Sequence, residues 1–76
     1  MNGRIVIDPE IQHGKPVIAG TRVPVARIVG GLAGGMTRGE IQQEYGVSEE
    51  DIAAALHYAT ELIETETFRP LPTPAA

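Results

Sequence analysis

The groups in this chain that are best suited to bind another molecule are cations, and most of them lie in its first half. Residues 1–36 contain four basic residues against two acidic ones, whereas residues 37–66 contain one basic residue against eight acidic ones. Guanidinium and ammonium groups bind phosphate oxygens, so a basic half favours contact with nucleic acid there. The predicted DNA-binding residues are Arg4, Lys15, Arg22, Arg27 and Arg38.

Arg22 lies in the middle of the run GKPVIAGTRVPV and has two interpretations. It could contact a phosphate or a base from a β-arm, because β-ribbons also enter DNA grooves. The structural alternative is an ion pair with Asp8 or Glu10, or hydrogen bonds to turn carbonyls. A dimer would double the number of cations and would favour the functional interpretation.

The sequence offers no arrangement for catalysis, metal binding or a cofactor. It has no cysteine, and His13 and His57 are 44 positions apart, outside any ligand-spaced cluster. Ser48 is the one serine and is best explained as a helix cap. The glycines of GGLAGG lack the preceding strand and the following lysine of a phosphate-binding loop. We therefore predict a protein that is not an enzyme.

The length of 76 residues sets the scale of the fold. A domain this small buries only about 60–65% of the surface of its unfolded chain, so it has little stability to spare. Tight helix packing or self-association can add to that stability. The sequence has neither a charged and then apolar leader nor an apolar run of 18 residues, so the expected location is the cytoplasm, without a membrane partner.

The first 23 residues predict a small β element. Arg4–Ile7 and Pro16–Ile18 have strand composition between turn residues, and Thr21–Val23 is a candidate third piece. Strands this short need a neighbour, either the helices of the same chain or the strands of a second copy. The predicted dimerisation residues are Ile5, Val6, Ile7, Val17, Ile18 and Val23.

Residues 24–66 predict three helices. The first begins at Pro24, has an apolar stripe from Val25 to Met36 and ends near Gly34-Gly35, with Gly30-Gly31 allowing another backbone to come close. The second follows the capping-box spacing of Thr37 and Glu40 and ends at Gly46. The third runs from Ser48 to about Glu66 with acidic residues in its first turn and an apolar stripe along its length.

The second and third helices with their glycine-containing turn have the outline of a DNA-binding helix-turn-helix. The alternative is a structural three-helix core, since any tight helix pair needs the same apolar residues and turn. The third helix begins Ser-Glu-Glu-Asp, and three carboxylates there oppose insertion of this helix between phosphates. Whether the β element or the helix-turn-helix would contact DNA stays open at this point.

The final residues, 67–76, contain prolines at positions 70, 72 and 74 and predict an extended tail. The tail is either a frayed terminus or a peptide that orders when it binds a partner. The predicted partner-binding residues, which include two acids of the third helix, are Glu61, Glu64, Phe68, Arg69 and Leu71.

Three segments resemble the domain of unknown function 433 family. They are RIVIDP from Arg4, GKPVIAGTRVPV from Gly14, and the stretch from Met36 to Leu56, and together they cover about residues 4 to 66. The GxPxIxGTRVPV segment is the specific part of the resemblance. The family motif matches Gly14, Pro16, Ile18, Gly20, Thr21, Arg22, Pro24 and Val25.

The resemblance implies a fold and a function. Its members are small prokaryotic proteins with a short N-terminal β element and a homeodomain-like or winged helix-turn-helix domain. Many are similar to VapB-type antitoxins, which bind a PIN-like ribonuclease toxin and, as dimers, repress their own promoter.

We therefore expect an α+β, mostly α, dimeric protein that is the antitoxin of a type II toxin–antitoxin pair. Its expected partners are the toxin and operator DNA, in a homodimer or a larger hetero-oligomer. The alternatives are a helix-turn-helix transcriptional regulator without a toxin, and a homodimeric interaction module that does not bind DNA.

Overall fold

A computed structural model describes residues 3–65 and shows an α+β fold with two short strands and three helices. The strands are β1 (Ile5–Val6) and β2 (Val17–Ile18), with one turn of 3₁₀ helix (Gln12–Gly14) between them. The helices are α1 (Val25–Ala33), α2 (Arg38–Tyr45) and α3 (Glu49–Thr65). Within residues 3–65, every helix is too short or too polar to cross a membrane.

The two strands pair antiparallel, with Ile5 opposite Ile18 and Val6 opposite Val17. Each strand is shorter than its composition predicts, because Arg4, Ile7 and Pro16 lie outside the paired residues. The prediction of a third strand at Thr21–Val23 is wrong.

Residues 18–23 form a tight turn that brings the chain back against β2. The Thr21 hydroxyl donates to the carbonyl of Ile18 at 2.8 Å and accepts from the N–H of Val23 at 2.9 Å. The N–H of Ile18 donates to the carbonyl of Val23 at 2.9 Å, and a β-bridge joins Val17 to Pro24. Thr21 therefore fixes the loop that presents Arg22.

The start of α1 follows from that bridge. Pro24 was predicted to be the first helical residue, but its backbone is extended, with φ −70° and ψ 143°, and it is the N-cap. The N–H of Val25 is held by the carbonyl of Pro16 at 2.9 Å, so the helix begins where the bridge ends.

Two glycines have identifiable roles around α2. Gly46 ends the helix in the left-handed conformation with φ 67°, as predicted, and the Thr37–Glu40 capping box is present at its start. A Cβ on Gly31 would lie 2.7 Å from Cδ1 of Ile41 and 3.1 Å from the sulfur of Met36. The prediction that another backbone comes close at Gly30-Gly31 is wrong: among residues 3–65, the close neighbours of Gly31 are side chains of α2 and of the segment before it, and a Cβ on Gly30 would have no neighbour within 4 Å.

One apolar core joins the strands to all three helices. Its buried members are Ile18, Val25, Ile28, Ile41, Val47, Ile52 and Ala55, and Ile5 packs against them. The strands thus find their neighbour within the chain, in the helices, which was one of the two arrangements that their length allowed. The division into units 1–23 and 24–66 stays a prediction, and residues 67–76 lie outside the described part.

Candidate nucleic-acid and partner surfaces

The five predicted DNA-binding cations fall into two groups in the structure. Arg4 and Arg38 form ion pairs with carboxylates in the first turn of α3: Arg4 Nη1 lies 3.0 Å from Asp51 Oδ1, and Arg38 Nη2 lies 2.6 Å from Glu49 Oε2. The remaining three cations are Lys15, Arg22 and Arg27. No carboxylate of residues 3–65 lies within 4.0 Å of their cationic nitrogens. Three of the five are therefore available to bind an anion.

Asp51 connects the N-terminal β element to the start of α3. Its Oδ2 accepts from the N–H of Ser48 at 2.9 Å, while the Ser48 hydroxyl accepts from the N–H of Asp51 at 3.0 Å. The Ser48 N–H is the largest of the effects that hold the pKa of Asp51 below its usual value of 3.8; partial burial opposes it, and Arg4 reinforces it. Ser48 is thus the predicted cap, and Arg4 is tied to the same cap.

This contact predicts a pH dependence of stability. A depressed pKa in the folded state means that the ionised Asp51 stabilises the fold above the pKa of the unfolded chain, about 3.8, and that this stability is lost as the pH falls through the lower folded value. Asp51→Asn should therefore flatten the dependence of the urea midpoint on pH below about pH 4. Glu50→Gln, which removes an exposed carboxylate from the same turn, is the control and should keep the wild-type dependence.

The ion pair of Arg38 joins α2 to α3. Its Nε donates to Glu49 at 2.6 Å, and the side-chain amide of Gln42 donates to the other carboxylate oxygen at 3.1 Å. Two of the three acids at the start of α3 are therefore held by groups of this chain. A helix that enters the major groove would present that first turn to DNA, so these contacts oppose recognition by α3.

The three remaining cations line two adjoining depressions that share Pro24, Arg27 and Tyr45. Lys15 lines the first, of about 350 Å³, and Arg22 lines the second, of about 300 Å³. We call this surface the basic groove and define it by Gln12, Lys15, Arg22, Arg27 and Tyr45.

Elements distant in sequence bring the basic groove together. Lys15 precedes β2, Arg22 lies in the turn that Thr21 fixes, Arg27 is in the first turn of α1, and Tyr45 ends α2. Neither Asp8 nor Glu10 pairs with Arg22, so the ion-pair alternative for this residue is not observed within residues 3–65. The groove offers three charged donors and a half-buried aromatic ring to a phosphate-bearing partner.

The predicted dimerisation residues differ sharply in exposure. Val17 and Ile18 are 1% exposed because they lie in the core of their own chain, so their side chains cannot touch a second copy in this fold. Ile5 and Val23 are half-buried against that core. Val6 and Ile7 are exposed. Strand-mediated dimerisation stays a prediction for Ile5, Val6, Ile7 and Val23.

The predicted partner-binding residues lie toward the end of α3 or beyond it. Glu61 is half-buried and lies 3.3 Å from Nε2 of His57, and Glu64 is exposed. Phe68, Arg69 and Leu71 lie outside the described residues. Within the described part, no three histidine or acidic side chains converge as metal ligands would need to.

Sequence reasoning missed two members of the basic groove. No functional role was predicted for Tyr45 or for Gln12. The available signal for Gln12 was its position beside His13-Gly14, where the backbone at Gln12 and His13 adopts positive φ values of 50° and 58°. Nothing local in the sequence places Tyr45 against Arg27.

The chain matches known proteins over most of its described part. A family model described as "Protein of unknown function (DUF433)" matches residues 5–59. A curated relative from Mycobacterium tuberculosis (strain ATCC 25618 / H37Rv), named "Putative antitoxin VapB45", is 34% identical over 55 residues, which cover 72% of this chain and 23% of the relative. The chain thus spans about a quarter of the length of that relative.

Two crystal structures are similar to the fold. A DUF433 member protein from Anabaena variabilis ATCC 29413 has a TM-score of 0.75 at 34% identity, covering 80% of this chain and 61% of that one. Rv2018 from Mycobacterium tuberculosis has a TM-score of 0.63 at 36% identity, covering 68% of this chain and 24% of that one. Because the family model spans residues 5–59 and a solved member shares the fold, this chain belongs to the DUF433 family.

Proposed function

We propose that this protein is the antitoxin of a type II toxin–antitoxin pair, which binds a PIN-like ribonuclease toxin and represses its own promoter. The family membership and the name of the relative support an antitoxin role. The observation on which the proposal mainly rests is the separation of charge: cations that pair with no carboxylate of residues 3–65 line the basic groove, and carboxylates lie along α3. Such a chain can offer one surface to DNA and another to a basic protein.

In this proposal the basic groove contacts operator DNA. Lys15, Arg22 and Arg27 would bind phosphates, and Tyr45 and Gln12 would contact sugar or base edges beside them. α2, the turn Gly46–Ser48 and α3 have the helix-turn-helix outline, but here α3 would support the groove rather than read bases. The ion pairs of Arg4 and Arg38 with its first turn favour that supporting role.

The toxin would bind at the far end of α3. A ribonuclease needs basic surface to hold RNA, and Glu61 and Glu64 are placed in the last two turns of the helix, ahead of Phe68, Arg69 and Leu71 in the sequence. Carboxylates that cover such a basic surface would compete with RNA for it.

Co-expression with the product of the neighbouring open reading frame tests the toxin interaction. We expect a complex that survives size-exclusion chromatography, weakened at least tenfold by Glu61→Lys with Glu64→Lys because like charges would then meet. Arg22→Ala, in the basic groove, is the control and should leave the complex intact. Two proteins that elute separately at micromolar concentration would contradict the antitoxin role.

A transcriptional regulator without a toxin is the second candidate, because the basic groove could bind DNA without any protein partner. The same co-expression separates the two functions: DNA binding by the chain without complex formation would favour the regulator. If the chain binds neither a toxin nor DNA, the result would favour the third function, a homodimeric interaction module.

A further inference from the structure

The helix α3 extends past the helix that covers it. With 17 residues it is about 26 Å long, whereas α1, with nine residues, is about 14 Å long. Its last described turns contain two large apolar side chains that the fold leaves exposed, Leu62 at 49% and Ile63 at 61%. These two residues continue the apolar stripe whose earlier members, such as Ile52, are buried in the core.

A groove of about 290 Å³ lies beside this overhang, between α1 and α3. Its walls are almost wholly apolar, and Lys15 is the one charged residue among those that line it. We call it the α1–α3 groove and define it by Lys15, Val25 and Val29 on one side and by Tyr58, Ala59 and Leu62 of α3 on the other. An apolar groove next to exposed apolar side chains is typical of a protein interface.

We propose that the α1–α3 groove binds a second copy of this chain, with the end of each α3 packed in the groove of the other. An isologous interface must contain both the projecting and the receiving surface on one protomer. Here Leu62 and Ile63 project, and the groove beside them receives.

Charge supports a second copy as the occupant. Lys15 lines the groove, while the last described turns of α3 carry Glu61 and Glu64. A two-fold axis that inserts each α3 end into the opposite groove brings the lysine of one copy to the acids of the other. In the dimer, the apolar contact of the α3 end with the groove and the contact of Lys15 with the acids each form twice.

The proposed dimer would also place two basic grooves near each other. Lys15, Pro24 and Ala26 line both the α1–α3 groove and the first depression of the basic groove, so the two surfaces adjoin. Because Glu61 and Glu64 are also the proposed toxin contacts, a toxin bound there would displace the second copy.

Sedimentation equilibrium of the full chain over a range of concentrations tests this interface. We expect a monomer–dimer equilibrium whose dissociation constant rises at least thirtyfold in Leu62→Glu. Ile7→Glu is the matched control, because it places the same charge on a large apolar side chain of the β element that is 59% exposed, against 49% for Leu62. Circular dichroism checks that both variants keep their helices.

A charge exchange makes the test independent of apolar burial. Lys15→Glu alone should weaken the dimer, and adding Glu61→Lys and Glu64→Lys to it should restore the wild-type constant within about threefold. Loss of the dimer in Ile7→Glu but not in Leu62→Glu would overturn the proposal in favour of the strands. A wild-type chain that stays monomeric would also overturn it, and dimerisation after removal of residues 67–76 would then identify the tail as the occupant.

Discussion

Replacing Arg22 and Arg27 together by alanine is expected to weaken binding to a duplex from the chain's own upstream region on the order of a hundredfold, since a charge-assisted hydrogen bond contributes about 1.5 kcal/mol or more. Each phosphate contact also changes the slope of log K against log salt by about 0.9, so the slope should become shallower by about 1.8. Fluorescence anisotropy at several salt concentrations measures both quantities.

The matched control is Arg4→Ala with Arg38→Ala, which removes the same number of positive charges. These two arginines are paired with Asp51 and Glu49, so we expect a loss of less than tenfold and a nearly unchanged slope. Equal effects of the two double variants would mean that net charge, rather than the basic groove, determines affinity. A larger loss of DNA affinity in the control variant would indicate that DNA contacts the start of α3 instead.

Ile52→Ala is expected to cost about 2–5 kcal/mol of the free energy of unfolding. Ile52 is 0% exposed, and the smaller side chain would leave a cavity where the third helix meets the core. A small domain has a total stability at the low end of about 5–15 kcal/mol, so a large part of this variant could be unfolded at 37 °C. A urea titration should show a lower midpoint with an unchanged slope.

Ile7→Ala removes the same atoms from a side chain that is 59% exposed and serves as the control. We expect a change within about 0.5 kcal/mol, because little apolar surface is lost from the core. Similar midpoints for the two variants would contradict the placement of Ile52 at the centre of the fold.

The elements with strong local signals could be predicted from the sequence. The capping box of Thr37 and Glu40, the left-handed Gly46 and the cap at Ser48 each involve residues within four positions, and the structure confirms all three. The ends of the strands were harder to predict, because a residue joins a β-strand only where its backbone pairs with a second segment that is distant in sequence. Ile7 has strand composition, but the pairing ends at Val6.

The candidate site could be predicted only as a set of cations. Which of them are free depends on contacts far apart in sequence: Arg4 and Asp51 are separated by 47 positions. The exposure of Leu62 was equally hidden, because a helical stripe indicates a buried face but not how far the neighbouring helix extends along it. Val17 and Ile18, predicted to face a second copy, instead fill the chain's own core.

The central claim is that the basic groove, and not the first turn of α3, contacts DNA. Titrating the isotope-labelled chain with its upstream duplex and following backbone amide shifts by NMR tests this claim directly. We predict the largest changes at Lys15, Arg22 and Arg27, with residues 49–53 little affected. Amide shift changes concentrated in residues 49–53, with no shift changes at the residues of the basic groove, would contradict the claim.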